Sequence, residues 1–172
     1  VAAEPTVSGV ARLRQTWEDV QASGIMTASL SDRVRTFRNH RMALHDNAEL
    51  RDLLVRTLPT DRFDELAVPF QCVAASIERS AEHWFSDGSL SEAILASSAI
   101  PGLFPPVRIG DQSFYDGGLV NSVPVDRAVE LGATTIYVLQ VGRIEQPLRP
   151  PTRPHEPALI AFEISRRHRF AK

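Results

Sequence analysis

Across its 172 residues the chain has one cysteine, two methionines, two tyrosines and two tryptophans. A single cysteine excludes an internal disulfide and a cysteine-rich metal site. Cys72 lies in the apolar run from Val68 to Ala75 and reads as a buried structural thiol rather than a reactive one. No apolar stretch approaches the ~18 residues of a membrane span; Ala93 to Val107 is broken by two serines and three prolines. Nor is one sign of charge in excess. The formal net charge of -2 gives no pull toward nucleic acid or anionic lipid. No basic segment followed by an apolar one opens the chain, so no signal peptide is visible, and a start at Val1 rather than Met leads us to expect that the beginning is missing. The cytoplasm is the favoured compartment, although any targeting segment would lie upstream. The pattern G-x-S-x-G, on which a serine nucleophile is exposed at a tight strand-to-helix turn, occurs nowhere from Val1 to Lys172.

What is present is the composition of an ordinary globular domain, 43% hydrophobic and 23% charged. Val10, Leu13, Trp17 and Val20 recur at helical spacing after Pro5, so the first element is predicted as an amphipathic helix whose stripe needs covering. A second, less regular helix is expected around Leu30 to Arg41. A third is better marked, with capping-box spacing from Asp46 to Glu49, then Leu50, Leu53, Leu54 and Leu58, and a stop at Pro59. Val68–Ala75 and Thr134–Val141 have the β-branched, apolar character of strands buried on both faces, and such strands separated by helices predict a sheet with parallel members. Between them, Ser89 to Glu92 opens a short helix, and Val107–Ile109 and Ser113–Tyr115 flank Gly110-Asp111-Gln112 as a hairpin. Pro124 and Gly132 bracket a helix from Val125 to Leu131. Five prolines from Pro147 to Pro157 predict an extended surface connection, followed by a last helix over 158–172. The Arg166, Arg167, His168 and Arg169 cluster at its end reads as complementing the helix dipole in preference to a lipid-headgroup contact.

The strongest candidate for chemistry is Tyr115-Asp116-Gly117-Gly118, a carboxylate at the end of a predicted strand. The two following glycines are free to take positive φ or to admit another backbone. Taken alone, it is an ordinary Asp-Gly turn. Ser97 and Ser98 lack the flanking glycines of an exposed nucleophile and are expected to end a helix. Phe104, Pro105 and Pro106 line either an acyl-chain site or the core. Asn121 is expected to brace the Asp116 loop or cap the next helix. None of the five histidines, His40, His45, His83, His155 and His168, has ligand spacing.

Ala96 to Pro106, Asp116 to Pro124, and Ala128 to Val141 with its Leu131-Gly132-Ala133 turn follow one another in an order that resembles the C-terminal half of the patatin-like phospholipase family. The resemblance implies a three-layer α/β fold, a central mostly parallel sheet flanked by helices, here lacking its N-terminal strands, with residues 1–172 forming part of one domain. It implies a serine acyl hydrolase acting on phospholipids and other acyl esters through a Ser-Asp dyad, with Asp116 as the dyad acid and proton acceptor and Gly117 and Gly118 shaping its turn. It gives no position for the serine, and implies no metal or cofactor. The partners it implies are the ester substrate, a peripheral membrane contact and the missing N-terminal half of the domain.

Two other readings remain open. The chain is a non-catalytic remnant of the same fold serving as a binding or regulatory module, or an unrelated α/β domain in which Asp116 only makes a turn. A sheet deprived of strands exposes edges and apolar faces, so the segment is expected to self-associate when expressed alone.

Overall fold

The computed structural model describes residues 1–23, 46–139, 147–153 and 156–170. The helix expected around Leu30 to Arg41, and His40, His45 and His155, lie outside the described residues.

Helix α1, Val7–Ser23, forms where the periodicity places it. Its stripe is uncovered among the described residues, with Val10, Leu13 and Trp17 all exposed. Helix α2, Asn47–Thr57, is capped by Asp46, whose carboxylate accepts from the Ala48 N–H at 3.1 Å, and it ends at Leu58 before Pro59. Helix α3, Leu90–Ser97, starts at Ser89, whose Oγ accepts from the Glu92 N–H.

Asp61 completes that cap from a distant point in the chain. Its Oδ1 accepts from the Ser91 N–H at 2.7 Å, while Oδ2 accepts from the Ser89 hydroxyl at 2.8 Å. Asp61→Ala leaves the α3 amides short of an acceptor, and urea melts are expected to register a loss of about 1–2 kcal/mol.

The sheet contains β1 (Cys72–Ser76), β2 (Ala81–Phe85), β3 (Val107–Ile109) and β4 (Gln112–Asp116) in the order β2-β1-β4-β3. Among the described residues every pairing in this sheet is antiparallel. This corrects the expectation of a mostly parallel sheet. The connections from β1 to β2 and from β3 to β4 are tight turns, too short for the crossover that parallel neighbours require. Gly110 makes the second turn with φ +62, and the hairpin is present with a turn one residue shorter than predicted, since Gln112 joins β4 opposite Ile109. Central β1 is buried along Val73–Ser76, as expected of a strand covered on both faces.

Thr134–Val141 is the second correction. Residues 134–139 form no strand, and Tyr137 and Leu139 are 88% and 92% exposed; Gln140 and Val141 lie outside the described residues. A strand persists only in a ladder, and residues 134–139 pair with none of the four strands. Helix α4, Val125–Glu130, and Gly132 at φ +84 precede this stretch as predicted.

The core lies between α3 and the sheet. Leu90, Ala93, Leu95, Ala96 and Ala99 meet Ala74, Phe85, Val107 and Phe114, and Phe63 closes one side. Leu50, Leu54 and Leu58 of α2 pack on its edge. Phe104, partly buried, also packs against it. Helix α5, Glu156–Phe170, begins within the proline-rich tract, two residues earlier than predicted. Among the described residues, no helix is long and apolar enough to cross a membrane.

Candidate functional site

The small residues at the end of α3 decide where Asp116 sits. Ser98 is the C-cap of α3, its N–H donating to the Leu95 carbonyl at 3.2 Å, so the chain turns away at Ala99. With only methyl and hydroxymethyl groups in the way, β4 comes close enough for the Asp116 N–H to donate to the Ala99 carbonyl at 2.9 Å. Ser97 and Ser98 thus terminate a helix, as expected.

Asp116 is the last residue of β4, opposite Ala74 of β1, and it caps the 3-10 turn Gly117–Leu119. Its Oδ1 accepts from the Gly118 N–H at 2.7 Å. The turn is held from behind by Asn121, whose N–H donates to the Gly117 carbonyl at 2.7 Å. The buried Asn121 amide also donates to Glu82 Oε2 at 3.1 Å and to Asp126 Oδ1 at 3.0 Å. One side chain therefore ties the acid turn to β2 and to the start of α4, the bracing expected of it.

Of the two reasons anticipated for the glycines, positive φ and close approach, only the second applies. Neither has positive φ. A Cβ on Gly117 would lie 2.2 Å from the Val73 carbonyl oxygen, and one on Gly118 would lie 2.9 Å from Phe162 Cζ. Close approach of β1 on one side and of α5 on the other is what excludes a side chain.

Burial pushes the Asp116 carboxyl up from 3.8 to about 6, against the opposing pull of the Gly118 N–H and the positive charge of Arg166. A carboxylate in that range is half-poised near neutrality, able to accept a proton and to give it back. It differs in this from the surface acids Asp64 and Glu78, which hydrogen bonds from Arg62 and the Ser113 N–H hold below their ordinary values. Cys72 is pushed up to about 12 by burial, so its thiol stays protonated and unreactive, as expected.

Sequence reasoning missed the contribution of α5. Phe162 packs on Gly118, and the Ser165 hydroxyl donates to the Leu119 carbonyl at 2.9 Å. Arg166 is coupled electrostatically to Asp116. The signal was the spacing i, i+3, i+4, which puts Phe162, Ser165 and Arg166 on one helix face. A cavity of about 760 Å³ lined by Asp61, Phe63, Phe70 and Asp87 among others includes no residue of the acid turn. Among the described residues, no three His, Cys, Asp or Glu side chains converge as a metal ion would require.

A family model described as patatin-like phospholipase matches residues 4–129, which take in the acid turn and stop short of α5. Lysophospholipase nte1 of Aspergillus niger is 28% identical over 92 residues, 54% of this chain and 6% of that protein. Its counterpart in Aspergillus fumigatus is 27% identical over the same shares. The uncharacterized NTE family protein Mb1092c of Mycobacterium bovis is 28% identical over 103 residues, 60% of this chain and 28% of that protein. The chain thus spans less than a third of the length of these curated relatives.

Proposed function

Because the chain belongs to the patatin-like phospholipase family, we propose that it carries the acid of a Ser-Asp dyad in a serine-dependent lipid acyl hydrolase, Asp116 being that acid. One observation carries the reading: Asp116 stands at a strand end in a glycine turn, buried enough to hold its carboxyl at about 6. A serine hydroxyl becomes an effective nucleophile when a neighbouring base takes its proton as oxygen attacks the ester carbonyl. Asp116 takes that proton and returns it to the departing alcohol oxygen as the tetrahedral adduct collapses to an acyl-serine. In the second half, Asp116 takes a proton from water as its oxygen attacks the acyl carbonyl, and returns it to the serine oxygen. No cofactor is called for.

The nucleophile and the backbone donors for the oxyanion are assigned to a preceding part of the same domain, since residues 1–172 contain no G-x-S-x-G. Residues 1–172 are then a partial patatin-like domain, with 147–157 as a connection to the last helix. The relatives named lysophospholipases favour a single-chain phospholipid as substrate. The missing G-x-S-x-G also favours a second reading, a non-catalytic module of the same fold that binds or regulates.

The deciding experiment compares two purified proteins, the 172-residue chain and the polypeptide translated with its upstream coding sequence. Both are assayed on a short-chain aryl ester and on lysophosphatidylcholine. Turnover is expected from the longer protein alone, reduced about 10²- to 10⁴-fold by Asp116→Asn, the usual contribution of a positioned general base. Equal turnover with and without the Asp116 carboxylate overturns the dyad. An upstream sequence with no glycine-rich strand-turn-helix carrying G-x-S-x-G favours the non-catalytic module.

A further inference from the structure

Helix α5 lies outside the matched residues 4–129, yet it makes contact with the turn that holds the acid. Three side chains on one face do this. Phe162, only 8% exposed, lies so near Gly118 that a methyl group there would sit 2.9 Å from its ring. One turn further on, Ser165 donates its hydroxyl hydrogen to the Leu119 carbonyl at 2.9 Å. Arg166, four residues after Phe162, falls on the same face and is coupled to Asp116.

Arg166 is also held in place. Its Nε and one terminal nitrogen donate to the two oxygens of Glu163 at 2.8 and 2.6 Å, a forked geometry that fixes the guanidinium plane. Glu163 takes a further bond from Arg167 Nε at 2.8 Å. An ordinary surface pair would have little consequence. This one has side chains only 19% and 22% exposed and lies on the helix that covers the half-buried Asp116.

We propose that α5 is a functional cap on the acid turn, seated by Phe162 and Ser165, and that Arg166 on it is a positioning residue that biases Asp116 toward its charged form. The inference rests on the reading of Asp116 as the dyad acid. It goes beyond that reading by making a helix outside the family match part of the site. The cap has two opposed effects. By covering the turn, α5 withholds water from the carboxylate and favours its protonated form; by presenting Arg166, it favours the charged form. Of the two the covering is the larger, and Arg166 moderates it.

Among the ionisable groups around Asp116, Arg166 is the one that acts on it, more weakly than burial and the Gly118 N–H do. Glu163 and Arg167 stand behind it on α5. β1 offers only the Cys72 thiol, which stays protonated, and the end of α3 offers only the serines Ser97 and Ser98. Glu82 and Asp126 reach the turn through Asn121, on its far side.

The test follows the Asp116 side-chain carboxyl by ¹³C NMR titration in the full 172-residue chain. Arg166→Gln is expected to raise the midpoint by about half a pH unit, less than the full effect of a close unscreened partner because Glu163 shares the charge. Arg166→Lys, which keeps the charge, is expected to stay nearer the wild-type midpoint. An unchanged midpoint in Arg166→Gln, with α5 still seated, overturns the proposal. Phe162→Ala provides a second arm should the first variant fail to fold. Releasing the helix exposes the carboxylate, so the midpoint is expected to fall toward the ordinary aspartate range while the amides of residues 165 and 166 exchange faster. A helix still seated without the Phe162 ring, or a released helix that leaves the midpoint in place, overturns the cap. Neither arm depends on turnover, so failure here leaves the dyad reading intact, and failure of the dyad leaves these titrations standing.

Discussion

Gly117→Ala is expected to cost the fold about 3 kcal/mol or more, enough to remove much of the stability of a typical domain. The added methyl would sit 2.2 Å from the Val73 carbonyl oxygen, 2.6 Å from Val73 Cγ1 and 2.8 Å from the Val73 carbonyl carbon. Two of those atoms are backbone, and the strand that carries them cannot recede. β1 is the second strand of four, bonded to β2 on one side and β4 on the other, so moving Val73 means breaking a ladder. Gly118→Ala is the control. Its methyl would meet the tip of the Phe162 ring at 2.9 Å and Asp116 Oδ1, two residues back, at 3.0 Å, and both are side-chain atoms that shift more readily than a strand backbone. A loss of about 1–2 kcal/mol is expected there, with α5 loosened before the sheet. Urea melts of both variants check the order. A Gly117→Ala protein within about 1 kcal/mol of the parent would mean that β1 does not press on the acid turn as tightly as described.

That glycine shows where sequence reading succeeds and where it stops. Asp116-Gly117-Gly118 was recognisable as a turn with an acid, but the reason for the glycines was open between conformational freedom and close packing. Only the position of Val73, more than forty residues earlier, decides it. The same division runs through the fold. The caps at Asp46 and Ser89, the Gly110 hairpin and the Gly132 stop depend on atoms a few residues apart, and the structure has them where the pattern places them. The direction of the sheet was not legible, because apolar character in β1 and in 134–139 says how deeply a strand would be buried and nothing about its neighbours. The site divides in the same way. Asp116 and Asn121 stand in one short motif, whereas Phe162, Ser165 and Arg166 come to the turn across a proline-rich connection. Their shared helix face was visible, but its destination was not.

The second large effect concerns Asp116 itself, where stability and chemistry pull in opposite directions. The folded protein holds this carboxyl at about 6 against an ordinary 3.8, so it binds the proton more tightly than the unfolded chain does. Below 3.8 both states are protonated and the residue costs nothing. Between 3.8 and about 6 the unfolded chain has released its proton while the folded one retains it, and stability falls as pH rises. Above that window the full penalty of a buried charge remains, about 3 kcal/mol at most by this linkage and less once solvent at the turn is allowed for. Asp116→Asn removes the charge and keeps an oxygen to accept from the Gly118 N–H. The variant is therefore expected to match the parent near pH 4 and to exceed it by about 2 kcal/mol at pH 7.5, even as it abolishes the proposed proton transfer. Acids held low by hydrogen bonds, such as Glu163 by Arg166 and Arg167, contribute the opposite slope, stability lost on acidification. They are common to both proteins and cancel in the difference. Paired urea melts at the two pH values measure that difference directly. If it does not grow with pH, Asp116 is not a half-buried, proton-holding carboxylate, and its assignment as the base loses its physical support.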